Sequence, residues 1–206
     1  MRNKILGVIF DLDGTIIDTL ELRVTAWQEA FKIYGITIER DVLKPLIGLP
    51  GEDLAGKYSA NPRSIEDEEE RNFLKFLSTI KTFPDVDETF DKLASSGIKL
   101  VIVTSSRRAL VEKLMIPKVP VVTIDDVKKG KPHTEPYETA IRIMNVPCES
   151  VLVVGDSEND MIPGKKLGCR TALIRHGKKI ISESAEYYID EVSEVPVLIE
   201  SIQMMQ

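Results

Sequence analysis

The fold class this sequence predicts is a doubly wound α/β protein, a parallel sheet with a small all-helical unit inserted after its first strand. Three observations predict it. Short apolar, β-branched runs recur along the chain: ILGVIF at 5–10, IKLVIVTS at 98–105, VPVVTI at 119–124, VLVVG at 151–155 and TALI at 171–174. Runs this continuously apolar suit strands covered on both faces, as in a parallel sheet, and helical patterns separate them. The first two runs lie about 85 residues apart, far more than one crossover helix needs. A chain of 206 residues accommodates one domain carrying such an insertion. The predicted division is an α/β core at 1–18 and 83–206 and a helical cap at 19–82.

The elements follow in order. After the first strand, Asp18 and Glu21 can open a helix whose inward stripe is Leu20, Val24, Trp27, Phe31 and Tyr34, stopped by Gly35. A second helical piece surrounds Val42 to Ile47, and a third carries Phe73, Phe76, Leu77 and Ile80. The aromatic residues on these stripes read as cap core. The acidic cluster EDEEE at 66–70 reads as the solvated first turns of a helix capped by Ser64, where negative charge suits the dipole. Gly48 to Gly51 form a turn. Asp85 and Glu88 make a capping-box pattern before Phe90, Leu93 and Ala94, with Gly97 as the stop. Thr134 precedes Glu135 and Pro136 as a helix start, with Tyr137, Ala140, Ile141 and Met144 facing inward. Pro163 and Gly164 predict an interruption of the helix that follows the 151–155 strand.

Composition sets the outer bounds. With 43% hydrophobic and 29% charged residues, the chain can bury a real core. A net charge of −6 argues against a nucleic-acid surface. No apolar run approaches the length of a membrane span, and the 5–10 run is too short for a signal peptide. Cys148 and Cys169 form no CxxC pair and read as small hydrophobes, so a zinc site or a disulfide scaffold is not expected. A reducing cytoplasm is the default location.

The chemistry-bearing residues cluster behind the strands. Asp11 and Asp13 follow the first run, Thr104, Ser105 and Ser106 the second, Lys131 the third, and Asp156, Ser157 and Asp160 the fourth. In an open α/β sheet, ligands bind outside the carboxyl ends of the strands, so these side chains should converge. Crowding carboxylates away from water is costly unless something offsets their charge. Acids, hydroxyls and one lysine at a shared rim describe a hard-cation site, suited to magnesium, beside a phosphate site.

These residues also carry a resemblance. DLDGT at 11–15, VTSS at 103–106, GKP at 130–132 and GDSEND at 155–160 resemble, in order, the four motifs of the haloacid dehalogenase-like hydrolase superfamily. The insertion resembles the helical cap of its phosphoglycolate phosphatase and β-phosphoglucomutase-like branch. The resemblance implies a magnesium-dependent phosphatase acting on a small phosphorylated metabolite through an aspartyl-phosphate. It makes Asp11 the nucleophile, and Asp13 the acid–base that also reaches the metal through its carbonyl. Thr104 and the backbone of Ser105 would hold phosphoryl oxygens, and Lys131 would balance charge. Asp156 would bind magnesium, with Asp160 a direct ligand or the partner of one. Branch members often carry His five residues after the position of Asp18. Here it is Arg23, which faces either substrate or solvent. Mutases use that His, so a sugar phosphomutase is the weaker alternative. A phospho-accepting receiver-type signalling module is a second, disfavoured by chain length and by the cap.

Overall fold

The computed structural model describes residues 4–204. In chain order the strands and α-helices are β1 (Gly7–Phe10), α1 (Leu20–Ile33), α2 (Arg40–Leu43), α3 (Gly51–Gly56), α4 (Pro62–Leu74), α5 (Val86–Ser95) and β2 (Lys99–Val103). Then come α6 (Arg108–Val111), β3 (Val121–Val122), α7 (Glu135–Met144), β4 (Val151–Gly155), α8 (Glu158–Lys166), β5 (Arg170–Ile174), β6 (Tyr187–Ile189) and α9 (Val195–Met204). The six strands form one sheet in the order β3-β2-β1-β4-β5-β6, and every neighbouring pair is parallel. The chain runs outward from β1 on one side and from β4 on the other. The strand order therefore reverses between β1 and β4, where a doubly wound sheet opens its crevice.

Alternation along the strands divides the core. Val8 and Phe10 of β1, Leu100 and Ile102 of β2, and Leu152 and Val154 of β4 face α5 and α9, where Phe90, Leu93, Val195 and Ile199 cover them. Ile9, Val101, Val103, Val151 and Val153 face the other way, against Tyr137, Ala140 and Met144 of α7 and Met161 of α8. Both faces are thus sealed, which explains the near-continuous apolar runs.

Residues 19–82 contain no strand of the sheet among the described residues, and they hold a cluster of their own. Val24, Trp27, Ala30 and Phe31 of α1 pack with Leu43, Leu54 and Ile65. Leu110 of α6 meets Ala26 and Phe73 where this helical layer touches the sheet side. The two connections between the layers run side by side. Ile17 bridges Thr82 in antiparallel fashion, the Asp18 N–H donates to the Lys81 carbonyl, and the Phe83 N–H donates to the Ile16 carbonyl.

Several local expectations are corrected. Helix α1 begins after Thr19, one residue beyond Asp18, and Tyr34 lies outside its stripe, 41% exposed. Helix α5 begins after Asp85, but Asp85 has left-handed backbone (φ 62°) and makes no side-chain cap bond. Helix α7 does start at Glu135, directly after Thr134 as expected, although the Thr134 hydroxyl donates to Glu138 and makes no cap bond. Helix α4 starts at Pro62, two residues before Ser64, and two of the 66–70 acids face inward. Glu66 and Glu69 are buried there, not solvated. Pro163 lies inside α8 without ending it. Gly164 is required because a Cβ there would sit 2.9 Å from Thr171 Cγ2 and 3.1 Å from Val153 Cγ2, so the helix lies tightly on the sheet. The edge strand β6 was not anticipated.

Candidate active site

The crevice between β1 and β4 gathers the acids. The Asp11 N–H donates to the Val154 carbonyl, which extends the β1–β4 ladder by one residue and holds Asp11 at the sheet's edge. Beyond it the chain turns sharply. The N–H groups of Thr15, Ile16 and Ile17 all donate to the Leu12 carbonyl, and Gly14 takes φ +83°. A Cβ on Gly14 would stand 2.4 Å from Asp156 Oδ2, so the absence of a side chain lets this loop press against the acid that follows β4.

Lys131 organises the centre. Its ammonium is buried and donates to Asp11 Oδ1 at 2.5 Å and to Asp160 Oδ1 at 2.6 Å. These two acids hold its pKa above the ordinary lysine value although burial opposes them. Asp160 is fixed further by the Tyr137 hydroxyl at 2.8 Å and the Ser157 hydroxyl at 2.9 Å. The Thr15 hydroxyl donates to Asp11 Oδ2 at 3.2 Å. Burial pushes the Asp11 carboxyl up to about 7, with Lys131 pulling it down and Asp160 and Asp13 adding repulsion. Asp156 is raised well above the carboxylate range, by burial first and then by Asp11 and Asp160.

Those three acids fit a divalent cation. Asp11, Asp156 and Asp160 each offer an oxygen, and the three oxygens lie within 4.8 Å of one another. The donor set is hard oxygen only, and its mutual repulsion is what a bound cation would relieve.

Asp13 turns elsewhere. Its carboxylate accepts from the Thr19 hydroxyl at 2.7 Å, from Arg23 Nε at 3.0 Å and Nη2 at 3.3 Å, and from the Ser106 hydroxyl at 3.2 Å. Burial would raise its pKa, but Arg23, Thr19 and Ser106 outweigh that and hold it below the usual value. Arg23 lines the cavity and is only 7% exposed, so it does not face solvent; Glu69 holds its other end.

The phosphate-side residues sit opposite. Buried Thr104 lines the cavity, and its hydroxyl oxygen accepts the Ser106 N–H at 3.1 Å. Ser105 also lines it, and its hydroxyl reaches the helical layer, donating to the Gly48 carbonyl at 2.7 Å. The 48–51 turn thus lies directly over the crevice. Across the same gap, Arg107 pairs with Glu66, Asp67 and Glu70 of α4. The space between these side chains is about 40 Å³, room for a few water molecules.

The structure brings Asp11, Asp13, Thr104, Ser105, Lys131, Asp156, Asp160 and Arg23 to this one crevice. Sequence reasoning did not select Thr15, Thr19, Glu69, Arg107 or Tyr137. Thr15 carried a signal as the last residue of the DLDGT motif, and Tyr137 carried one because a buried tyrosine needs a partner for its hydroxyl.

Comparison with known proteins gives the site its family. The haloacid dehalogenase-like hydrolase model matches residues 8–174. The pyrophosphatase PpaX of Bacillus mycoides (strain KBAB4) is 31% identical over 209 residues, covering 95% of this chain and 97% of that protein. Among solved structures, a hydrolase from Pseudomonas syringae superposes with a TM-score of 0.87 at 23% identity, covering 96% and 99% of the two chains. A putative β-phosphoglucomutase from Bacteroides vulgatus superposes with a TM-score of 0.84 at 21% identity, covering 98% and 90%. No helix among the described residues is long and apolar enough to cross a membrane. With the motifs, the sheet order and these likenesses in agreement, the chain belongs to the haloacid dehalogenase-like hydrolases.

Proposed function

We propose that this enzyme is a magnesium-dependent phosphatase that hydrolyses a small phosphorylated metabolite through an aspartyl-phosphate on Asp11. The observation that carries the reading is the Asp11 carboxylate, held between the buried Lys131 ammonium and the Asp156–Asp160 acids where the strand order reverses. In the first half-reaction an Asp11 oxygen attacks phosphorus, the ester P–O bond breaks, and the leaving oxygen takes a proton from Asp13, which has to acquire that proton in the substrate complex because Arg23, Thr19 and Ser106 favour its ionised form. In the second, Asp13 takes a proton from water, the water oxygen attacks phosphorus, and the acyl-phosphate P–O bond breaks. Inorganic phosphate leaves and the Asp11 carboxylate is regenerated. Such acid–base help is typically worth about 10²–10⁴ in rate.

Thr104 and the backbone of Ser105 hold phosphoryl oxygens in this reading, and Lys131 offsets the charge shared by Asp11 and phosphate. Asp11, Asp156, Asp160 and the Asp13 carbonyl would hold magnesium, which would supply further positive charge against the phosphoryl anion. Residues 19–82 act as a cap that closes over the bound substrate and excludes water. Cytoplasmic operation is part of the proposal, since Cys148 and Cys169 are free thiols.

The test is a panel of phosphoglycolate, sugar phosphates and pyrophosphate, the last included because the PpaX relatives are pyrophosphatases by name. Magnesium should support phosphate release and excess chelator should remove it. Asp11→Asn should abolish release while keeping the fold, because an amide fills the same space but does not attack phosphorus. More than a few per cent of activity in a clean Asp11→Asn preparation would move the nucleophile elsewhere.

A further inference from the structure

Arg23 is the most heavily engaged side chain in the crevice that the proposed reaction leaves without a task. Its Nε and Nη2 meet the two oxygens of Asp13 at 3.0 and 3.3 Å, a two-pronged contact that fixes the plane of the carboxylate. Its Nη1 meets both oxygens of Glu69 at 3.2 and 3.4 Å, and the Phe73 ring lies 3.8 Å beneath the guanidinium carbon. Glu69 is 2% exposed. Nothing in the reaction touches Glu69, yet burying a carboxylate there is costly without a purpose.

The hydrogen-bond count bears on what Arg23 can do. All three guanidinium nitrogens already donate to oxygens of Asp13 or Glu69, so an anionic group on the substrate would have to displace one of them. A substrate-facing role for Arg23 therefore meets a guanidinium with no nitrogen to spare. A residue that grips the proton-transfer carboxylate with a planar fork, and is itself gripped from behind, is built to hold an orientation.

We propose that Arg23, anchored by Glu69, is a positioning residue for Asp13 and does not recognise the substrate. Arg23 sets the direction in which the Asp13 oxygens point, and Glu69 keeps the guanidinium in the plane that makes the fork fit. This assignment rests on the phosphatase reading.

The experiment measures magnesium-supported phosphate release from an uncharged aryl phosphate and from a phosphate ester carrying a carboxylate. Arg23→Gln should lower kcat about 10- to 100-fold on both substrates, the size of effect a displaced reacting group produces, with KM nearly constant. Arg23→Lys should recover only a small part, because an ammonium lacks the fork. Glu69→Gln keeps the shape, fills the same space and is the variant least apt to disturb folding. It should lower kcat several-fold on both substrates, again without moving KM. In an Asp13→Asn background, Arg23→Gln should add less than about a twofold loss, since its target is already gone. A loss confined to KM for the carboxylate-bearing ester would make Arg23 a substrate receptor and overturn the assignment. Unchanged kcat in both Arg23→Gln and Glu69→Gln would overturn it as well. Failure of the wild-type enzyme to release phosphate from any ester would instead bring down the phosphatase reading beneath it.

Discussion

Gly14→Ala adds one carbon at the most confined point of the site, and its consequences are calculable. The new Cβ would stand 2.4 Å from Asp156 Oδ2 and 3.0 Å from Asp156 Cγ. Ordinary contact needs roughly 3.4 Å or more, so the Asp156 carboxylate must retreat by about 1 Å. The backbone adds a second cost. At φ +83° the position is left-handed, a conformation that charges a residue with a side chain roughly 1–2 kcal/mol. For a chain of this size each kcal/mol lowers Tm by about 2–4 °C, so the fold should survive with a drop of about 2–8 °C. Function should suffer more. Magnesium tolerates little departure from its preferred geometry, and a displacement of about 1 Å in a reacting constellation costs on the order of 10²-fold. The assay is phosphate release titrated with magnesium, beside thermal melts with and without the ion. The expected result is a large rise in the magnesium requirement with a modest fall in Tm. A lower Tm with an unaltered magnesium titration would refute the placement of Asp156 in the metal site.

Two further outcomes follow from the buried charges. Lys131→Met should be strongly destabilising, roughly 3–5 kcal/mol, because it strands Asp11 and Asp160 without their buried cation. Melting curves should show magnesium restoring more stability to this variant than it adds to wild type, and an equal increment in both would count against the shared charge balance. The Glu69 carboxyl is pushed up to about 7 by burial, with Arg23 opposing, from an unfolded value of 4.5. The folded protein therefore holds that proton more tightly than the unfolded chain. Stability contributed by this group is present below about 4.5 and is lost as pH rises toward 7. Glu69→Gln should flatten that decline in a plot of Tm against pH, and an unaltered slope would show that another group is responsible.

The sheet was legible in the sequence because burial on both faces writes itself as unbroken apolar runs, such as VLVVG at 151–155, which is β4 to the residue. The convergence of Asp11, Lys131 and Asp156 was legible for a topological reason, since all three follow strands at the same sheet edge. The partners of these residues were not. Arg23 and Glu69 are 46 residues apart, and Arg107 and Glu66 are 41 apart. No local pattern distinguishes an acidic helix face turned toward arginines from one turned toward water, so EDEEE read as solvated. Strand β6 escaped because three residues at a sheet edge, one of them Tyr188 at 39% exposure, carry too little apolar content to register. The Asp85 cap failed because its backbone left the region in which a side chain can reach back to the helix N–H groups.

The paired connections at Ile17 and Thr82 have a consequence for how such a protein can change. Since the helical segment leaves and re-enters at adjoining backbone positions, the sheet experiences it as the tip of a hairpin, whatever its length. Residues can be gained or lost between those two points while the strand registers stay as they are. The site end of the sheet can therefore remain a constant piece of machinery while the helical segment is exchanged, enlarged or reshaped around it.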